Sequence, residues 1–249
     1  MRSSEVERRL GGLRSGTASP PADFSALPAP ARRYLAHALG DEPGAAAGVR
    51  LRMGGSVVQA DRRLALSARE TLVPPHGFVW RARARIGPML VTVRDFYYQR
   101  ASRVDVRLLG LVPMGGERGP DTMASSRGRL AAESVWVPSM LAPRPGVRWD
   151  EVDDECAQVQ LDIDGVTETL TLRVNPEGRL VELWMHRWGD VGVERHQALP
   201  YGFRVTAERR FDRYTIPSKL EGGWWYGTER YDPDRASRFT IEAAEYADG

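Results

Sequence analysis

Apolar and polar residues alternate with a period of two along three stretches of the first half of the chain. These stretches are "GVRLRM" (48–53), "FVWRARARIG" (78–87) and "RVDVRLLG" (103–110). Strict alternation is typical of a strand that buries one face and exposes the other. The arginines at the polar positions predict a solvated outer sheet face with cross-strand ion pairs, so we assign no phosphate or RNA site to them.

Two segments have the pattern of helices. "PAPARRYLAHALG" begins with prolines, carries its large apolar residues on one side and ends at Gly40, which predicts a helix from about residue 28. Residues 119–141 predict one or two short helices, for which Asp121 is a candidate N-cap. Residues 1–26 contain only a two-turn apolar stripe before "SGTASPPAD", and we expect them to form a flexible N-terminal extension.

A second series of strands follows the helical segment. Residues 156–162, 167–174 and 179–188 predict a meander with turns at "DG" and "NPEG", and three further strands follow it. No linker divides the strands, so residues 27–249 are predicted to form a single β-rich domain. Because so many antiparallel strands cannot remain flat, we predict a mainly β fold: a curled sheet, or half barrel, of about 10–11 strands. The N-terminal helix and the short helical insertion would cover its concave face.

Composition excludes several classes of protein. The formal net charge of +2 is too small for a dedicated nucleic-acid binder, and 42% hydrophobic content is that of a globular chain. No apolar stretch approaches the roughly 20 residues of a membrane span. The single cysteine, Cys156, excludes an internal disulfide, and the charged N-terminus has no apolar signal core, so we expect a cytoplasmic protein.

The motifs of metal, nucleotide and serine-hydrolase chemistry are missing from the sequence. It contains no G-x-x-x-x-G-K-[ST], H-E-x-x-H, G-x-S-x-G or strand-linked G-x-G-x-x-G, and its four histidines lack ligand spacing. We therefore expect no metal and no cofactor. The oligomeric state has no sequence signal.

The stretch "LVELWMHRW" contains the first candidate site. In a regular strand Trp184, His186 and Trp188 share one face. If both tryptophans cover it, His186 would be desolvated, and its lowered pKa would leave it neutral and able to act as a base. The alternative, which we favour, is a core histidine that is satisfied by a backbone carbonyl.

Two carboxylates lie in otherwise apolar sequence. Asp95 occurs in "VRDFYY" and Glu133 follows "RLAA" in the predicted helix. With His186 they are the candidate catalytic acids or bases, although such a carboxylate is more often the partner of a buried arginine, here Arg129 or Arg187.

Aromatic residues are the candidate ligand contacts. In "EGGWWYGTERY" Trp224 and Tyr226 are expected on one face of a strand and Trp225 on the other, either as sheet packing or as a stacking wall. The predicted ligand-binding residues are Trp80, Tyr98, Trp184, Arg187, Trp188, Trp224 and Tyr226.

Several longer phrases resemble a family of bacterial proteins of unknown function that is common in actinobacteria. They include "LPAPARRYLAHAL", "DFYYQRASRVDVRLLGLVPM", "GRLAAESVWVPSML" and "RYTIPSKLEGGWWYGTERY", in order over most of residues 27–241. The chain departs from the family pattern at His186 and at "YDPDRASRFT". The positions that match family motifs are Asp95, Tyr98, Arg129, Glu133, Arg187, Trp188, Arg209, Tyr214, Trp224, Trp225 and Arg230.

The order of elements also resembles the half barrels of lipoprotein carriers. That resemblance implies a fold which holds lipid and acyl ligands and which includes a cofactor-independent enzyme of violacein biosynthesis. The function predicted first is binding of an apolar or aromatic small molecule in the concave cavity. The alternative is a cofactor-independent cyclase, isomerase or rearrangement catalyst of secondary metabolism that uses the same cavity.

Overall fold

The computed structural model describes residues 2–13, 23–40, 46–59 and 62–246. Helices in this part of the chain are α1 (Ser3–Leu13), α2 (Ala29–Leu39) and α3 (Pro120–Glu133), with short 3-10 helices at Ser134–Trp136, Pro138–Leu141 and Pro233–Arg235. The strands are β1 (Val49–Gln59), β2 (Arg62–Val73), β3 (Gly77–Ile86), β4 (Met89–Tyr98), β5 (Ala101–Leu108), β6 (Val112–Glu117), β7 (Val147–Glu151), β8 (Cys156–Ile163), β9 (Val166–Val174), β10 (Leu180–Gly189), β11 (Gln197–Phe211), β12 (Tyr214–Trp224) and β13 (Ser237–Tyr246).

The described strands form one antiparallel sheet that curls into a half barrel. Its order is β6-β5-β4-β3-β2-β1-β13-β12-β11-β10-β9-β8-β7, so β1 and β13, from opposite ends of the chain, pair at its centre. The predicted mainly β half barrel is confirmed, with 13 strands rather than 10–11 in the described ranges. The two edge strands, β6 and β7, are short, and β6 is exposed along its whole length, so it has no apolar alternation that could reveal it.

The two faces of the sheet are covered differently. The concave face carries the main core, in which α2, α3 and the two adjoining 3-10 helices pack on the apolar side of the strands. The predicted helix at 28–40 and the predicted helical insertion are both found there. On β3, Phe78, Trp80 and Ala82 belong to this core, whereas Arg81 on the outer face pairs with Glu7 of α1 at 2.5 Å.

Helix α1 packs on the outer face of β2, β3 and β4. Val6 and Leu10 are fully buried there in a second, smaller core that includes Phe96 and Tyr98. The sequence predicts a flexible extension here, whereas residues 3–13 form a helix. Its short apolar stripe is buried because it covers the outer side of the sheet. Residues 14–22 of the extension lie outside the described ranges. The division of the chain at residue 26 stays a prediction.

Truncating one side chain of α1 tests how firmly the helix is held. We expect Leu10→Ala to lower the free energy of unfolding by about 2 kcal/mol, at the low end for a buried leucine because a terminal helix can detach on its own. Leu13→Ala is the matched control on the same helix, since Leu13 is 38% exposed, and should change stability by less than about 0.5 kcal/mol. Urea denaturation of both variants measures the difference. Equal free energies of unfolding for Leu10→Ala and Leu13→Ala would favour a flexible N-terminal extension.

Candidate functional site

A cavity of about 170 Å³ lies between the helical insertion and the concave face of the sheet. Ten of its 13 described lining residues are apolar or aromatic, and the other three, Arg129, Glu133 and Arg187, are charged. An apolar chamber with a few convergent polar groups is the usual form of a small-molecule site. The apolar lining consists of Met53, Trp80, Ala132, Val135, Trp136, Leu183, Tyr201, Phe203, Leu220 and Phe239.

Helix α3 forms one wall of the cavity because it packs very closely on β10. A Cβ on Gly128 would lie 3.0 Å from Cγ of Arg187 and 3.6 Å from Cε of Met185, so a larger residue would require the Arg187 side chain to shift. Arg187 also donates from Nε to the carbonyl oxygen of Ser125 at 3.0 Å. These contacts fix the face of α3 that carries Arg129 and Glu133.

The segment after α3 is anchored by two long-range hydrogen bonds. Nε1 of Trp136 donates to the carbonyl oxygen of Pro217 at 3.1 Å, and the Tyr246 hydroxyl donates to the carbonyl oxygen of Trp136 at 2.8 Å. Trp136 is thereby held against β12 and β13 as a rigid wall of the cavity.

Opposite α3, three neighbouring strands present a row of polar side chains. Glu70 on β2 is directly paired with Trp80 on β3, and Trp80 is paired with Asp95 on β4. Directly paired residues project from the same face of an antiparallel sheet, so the two carboxylates flank the indole on the concave side.

Arg129 lies above this row and connects it to α3. Its guanidinium donates to Glu133 Oε1 at 2.7 Å, to Asp95 Oδ2 at 2.8 Å and to Glu70 Oε1 at 3.2 Å. It also lies 4.9 Å from the ring centroid of Trp80. One cation thus joins three carboxyl groups in a mostly buried cluster, a geometry that Arg satisfies with its five fixed donors.

Burial and charge set the protonation of this cluster. Burial, followed by repulsion from Glu133, raises the pKa of Glu70 well above its ordinary value, against the attraction of Arg129. Burial also raises the pKa of Asp95, although Arg129 and Arg187 oppose the change. For Arg129, burial acts to lower the pKa, but the three carboxyl groups outweigh it and the pKa is raised. The guanidinium therefore stays charged.

Several polar atoms of this cluster are buried without a hydrogen-bond partner. The raised pKa of Glu70 favours its protonated form, and its Oε2 has no partner among the described residues. Oε2 of Glu133 and Oδ1 of Asp95 also have no hydrogen-bond donor in that part of the chain. Nε1 of Trp80 is likewise buried without an acceptor in the same part of the chain.

A second arginine lies beside an aromatic wall. The Arg187 guanidinium carbon is 4.7 Å from the ring centroid of Tyr201 and 5.2 Å from that of Trp224. Trp224 in turn packs against Gly189, where a Cβ would clash with the indole. Cation–π contacts of this kind hold a guanidinium in place while its remaining donors stay available.

Comparison with known proteins places the chain in a family. Residues 17–232 match the Family of unknown function (DUF6544). The chain belongs to this family. The resemblance to a family of unknown function that the sequence motifs indicated is thereby confirmed. No curated protein matches the sequence.

Solved structures with similar folds share little sequence with this DUF6544 member. LolA superfamily protein NE2245 from Nitrosomonas europaea is 10% identical with a TM-score of 0.47, covering 90% of this chain and 96% of that one. A DUF1329 family protein from Desulfovibrio piger is 8% identical with a TM-score of 0.42, covering 89% of this chain and 94% of that one.

The structure brings together five of the residues that were predicted as site residues. Trp80, Glu133 and Arg187 line the cavity, Asp95 is joined to it through Arg129, and Trp224 supports Arg187 from the side. The expectation that Asp95 and Glu133 are partners of a buried arginine is met by Arg129. Whether any of the five binds a ligand or acts in catalysis stays a prediction.

Three predicted residues lie on β10 but away from the cavity. Leu183, Met185 and Arg187 face inward, so Trp184 and His186 project from the opposite side of the strand, and His186 is exposed. The burial on which its role as a base depended is therefore missing. Trp188 is 36% exposed, and its Nε1 donates to Asp121 at 2.9 Å, outside the cavity.

A bulge interrupts the alternation at the start of β10. The pairing of β10 with β9 shifts between Leu180 and Glu182, so Leu180 belongs to the core while Glu182 faces the outer side. In a regular strand Leu180 and Glu182 would both share a face with His186, and the bulge puts Leu180 on the opposite side. A single extra residue reverses the side on which all later residues project.

Tyr98 and Tyr226 are also outside the cavity. Tyr98 is buried on the outer face beneath α1, because it follows Tyr97 of the concave core on the same strand. Strand β12 ends at Trp224, and Trp225 takes a left-handed φ of 65°, so Tyr226 does not continue the alternation. The Tyr226 hydroxyl instead donates to Glu182 Oε1 at 2.8 Å on the outer side.

Sequence reasoning missed Glu70 in particular. Leu66, Ala68, Glu70 and Leu72 form a row of buried residues on one face of β2, and Glu70 is its third member. A single carboxylate in an otherwise apolar alternating row was the available signal. Several cavity-lining residues on β11 and β13 were not predicted, because their sequence does not indicate which strands face the helical insertion.

Two further structural findings bear on function. Within the described ranges, no group of three or more His, Cys, Asp or Glu residues is placed to hold a metal ion. No described helix is both long and apolar enough to cross a bilayer.

Proposed function

We propose that the protein binds an apolar or aromatic small molecule in the concave cavity. The observation that carries this proposal is the 170 Å³ chamber itself, whose walls are mostly aromatic and aliphatic and whose one charged end is built from α3 and β10. A cavity of roughly 150 Å³ in a protein interior binds a molecule of the size of benzene. A ligand with one ring, or a branched or short alkyl body, fits the volume best.

The energy of such binding comes from the walls. Trp80, Trp136, Tyr201, Phe203 and Phe239 offer aromatic surface that is already shielded from water and positioned by the sheet or by backbone hydrogen bonds. Because the walls are pre-formed, little conformational entropy is lost on binding. The two tryptophans also make the intrinsic fluorescence a direct reporter of occupancy.

Filling the cavity tests the proposal. We expect Ala132→Leu to weaken ligand binding at least tenfold, because the added carbon atoms occupy the chamber from α3. Ala124→Leu is the matched control: it places the same side chain on the same helix, at a half-buried position that does not line the cavity. Binding of one-ring and two-ring apolar compounds, followed by tryptophan fluorescence and calorimetry, measures the effect.

The outcome is informative in both directions. Loss of binding in Ala132→Leu with retention in Ala124→Leu, both with melting temperatures near that of the wild type, supports the cavity as the binding site. Equal affinities in the two variants would place the ligand elsewhere and reject the proposal.

A second candidate function is cofactor-independent catalysis in secondary metabolism. The observation that favours it is the cluster of Glu70, Asp95 and Glu133 around Arg129, since buried carboxyl groups whose pKa values are raised are common in acid–base chemistry. Asp95 and Glu133 remain the predicted acids or bases. Catalysis is separated from binding by asking whether a bound compound exchanges hydrogen for deuterium in D₂O or leaves the protein chemically changed.

The other parts of the proposal concern partners and location. With a formal net charge of +2, no nucleic-acid partner is proposed. The single cysteine, which makes an internal disulfide impossible, supports a cytoplasmic location. No cofactor is proposed, since no ligand set for one is recognised in the sequence.

A further inference from the structure

The charged end of the cavity has a specific composition. Two guanidinium groups, those of Arg129 and Arg187, face the carboxylates of Asp95 and Glu133, while burial raises the pKa of Glu70 and favours its neutral form. With Glu70 neutral, the positive and negative charges balance before any ligand enters. A charged ligand group would disturb that balance in a buried place, where unpaired charge is very unfavourable.

The same end has hydrogen-bonding capacity that the protein leaves unused. Oε2 of Glu133 accepts no hydrogen bond from the described residues, although a carboxylate oxygen has two lone pairs. Nε1 of Trp80 is a buried donor without an acceptor in the described chain. Both side chains line the cavity and both contact the Arg129 guanidinium, so the two unused groups lie at the same end. Buried polar atoms are nearly always paired in native proteins, so an unpaired donor and acceptor at one end of a cavity mark the place of a ligand group.

We propose that the ligand is an uncharged alcohol or phenol whose hydroxyl group donates to Glu133 Oε2 and accepts from Trp80 Nε1, with its apolar body against the aromatic walls. This inference rests on the proposed binding function and names the class of ligand for that site. A hydroxyl group is both donor and acceptor, so one oxygen atom satisfies both unused groups and adds no charge. A site of this kind discriminates against an analogue without the hydroxyl, because its buried polar groups are then left unpaired.

Four compounds with the same body and different polar groups test the inference at pH 7. They are ethylbenzene, 4-ethylphenol, 4-ethylbenzoate and 4-ethylbenzylammonium, which present no polar group, a neutral hydroxyl, an anion and a cation. We expect 4-ethylphenol to bind about 10- to 100-fold more tightly than ethylbenzene, the gain from a hydrogen bond to a charged group, and more tightly than either ion. Calorimetry, with competition between compounds observed by NMR, gives the four affinities.

Two variants separate the parts of the interaction. Glu133→Gln removes one negative charge with little change in shape, so two guanidinium groups then face one carboxylate, and the preference should shift from 4-ethylphenol towards 4-ethylbenzoate. Trp80→Phe keeps the aromatic wall but removes the donor, and should reduce the preference for 4-ethylphenol over ethylbenzene without favouring either ion. Melting curves confirm that each variant is folded.

Glu208→Gln is the matched control. Glu208 accepts a hydrogen bond from the backbone N–H of Leu180 at 3.1 Å, lies 2.9 Å from Nε2 of His37 and is about as buried as Glu133, but it does not line the cavity. This variant should keep the wild-type order of the four compounds. A shift towards the anion in both Glu→Gln variants would show that the effect does not come from the cavity, and would overturn the inference.

The remaining outcomes distinguish the inference from the function on which it rests. Equal affinity of the wild type for 4-ethylphenol and ethylbenzene, or tightest binding of either ion, overturns the hydroxyl assignment while leaving a binding cavity. If none of the four compounds binds at a site that Ala132→Leu blocks, the proposed function itself fails, and the inference fails with it.

Discussion

Replacing Arg129 with methionine should lower the free energy of unfolding by about 3 to 5 kcal/mol, the range for removing one partner from a buried ion pair. The guanidinium is the cation that contacts Glu133, Asp95 and Glu70, and its side chain is only 15% exposed. Methionine fills most of the volume but leaves buried negative charge without a partner. Urea denaturation measures the loss, and the melting temperature should fall by roughly 6 to 20 °C.

The control for this prediction is an arginine at the surface. Arg148 pairs with Asp150 at 2.9 Å, but its side chain is 67% exposed, so Arg148→Met should cost less than about 1 kcal/mol. Adding Asp95→Asn to Arg129→Met should recover part of the loss, because the substitution removes one of the stranded charges. If the stability changes of the two single variants simply add in the double variant, they do not share an electrostatic cause.

The second prediction concerns pH and Glu70. Between its ordinary value near 4.5 and its raised pKa, the folded protein holds a proton on Glu70 that the unfolded chain has released. Stability must therefore fall as pH rises through that window, because the folded state binds more protons. The charges that face Glu70 are those of Arg129 and Glu133 from α3 and of Asp95 from β4. Asp95, whose pKa is also raised, adds to the decline in the wild type.

Glu70→Gln isolates the contribution of Glu70, because glutamine resembles the protonated carboxyl at every pH. Below pH 4.5 the stability difference between variant and wild type should be constant. Above pH 4.5 the free energy of unfolding of the variant should increase relative to that of the wild type, by up to about 1.4 kcal/mol per pH unit, until the pH passes the raised pKa of Glu70. Urea denaturation from pH 4 to pH 9 gives the curve. Glu177→Gln, on an exposed turn, is the control and should follow the wild type. A parallel pH dependence of Glu70→Gln and wild type would mean that Glu70 is ionised in the folded protein.

The candidate site was only partly visible in the sequence, for reasons that particular residues illustrate. Asp95 and Glu133 were recognisable because each interrupts an apolar stretch, and Arg129 was recognisable as a partner because it lies four residues before Glu133 on a helix. Glu70 has the same kind of signal but was overlooked in a strand rich in charge. His186 was misplaced, because flanking tryptophans in sequence do not reveal which face of a strand is covered.

Local chemistry in the sequence determined the elements of this protein. Period-two alternation specified the strands, and the proline start and glycine stop specified α2, because these signals act between residues that are close along the chain. The length and number of strands then required a curled sheet. The short edge strands β6 and β7 were not predicted, because an exposed or brief edge strand needs no apolar alternation.

Only the tertiary structure decided which residues meet at the cavity. Glu70, Trp80 and Asp95 form a row because β2, β3 and β4 pair in one register, and Arg129 reaches that row because Gly128 allows α3 to lie close to β10. Register depends on the summed packing of whole strands, and the bulge after Leu180 puts Leu180 on the concave side although His186 projects from the outer one. Side-chain direction in a sheet is thus a property of all the pairings together, and no short stretch of sequence contains it.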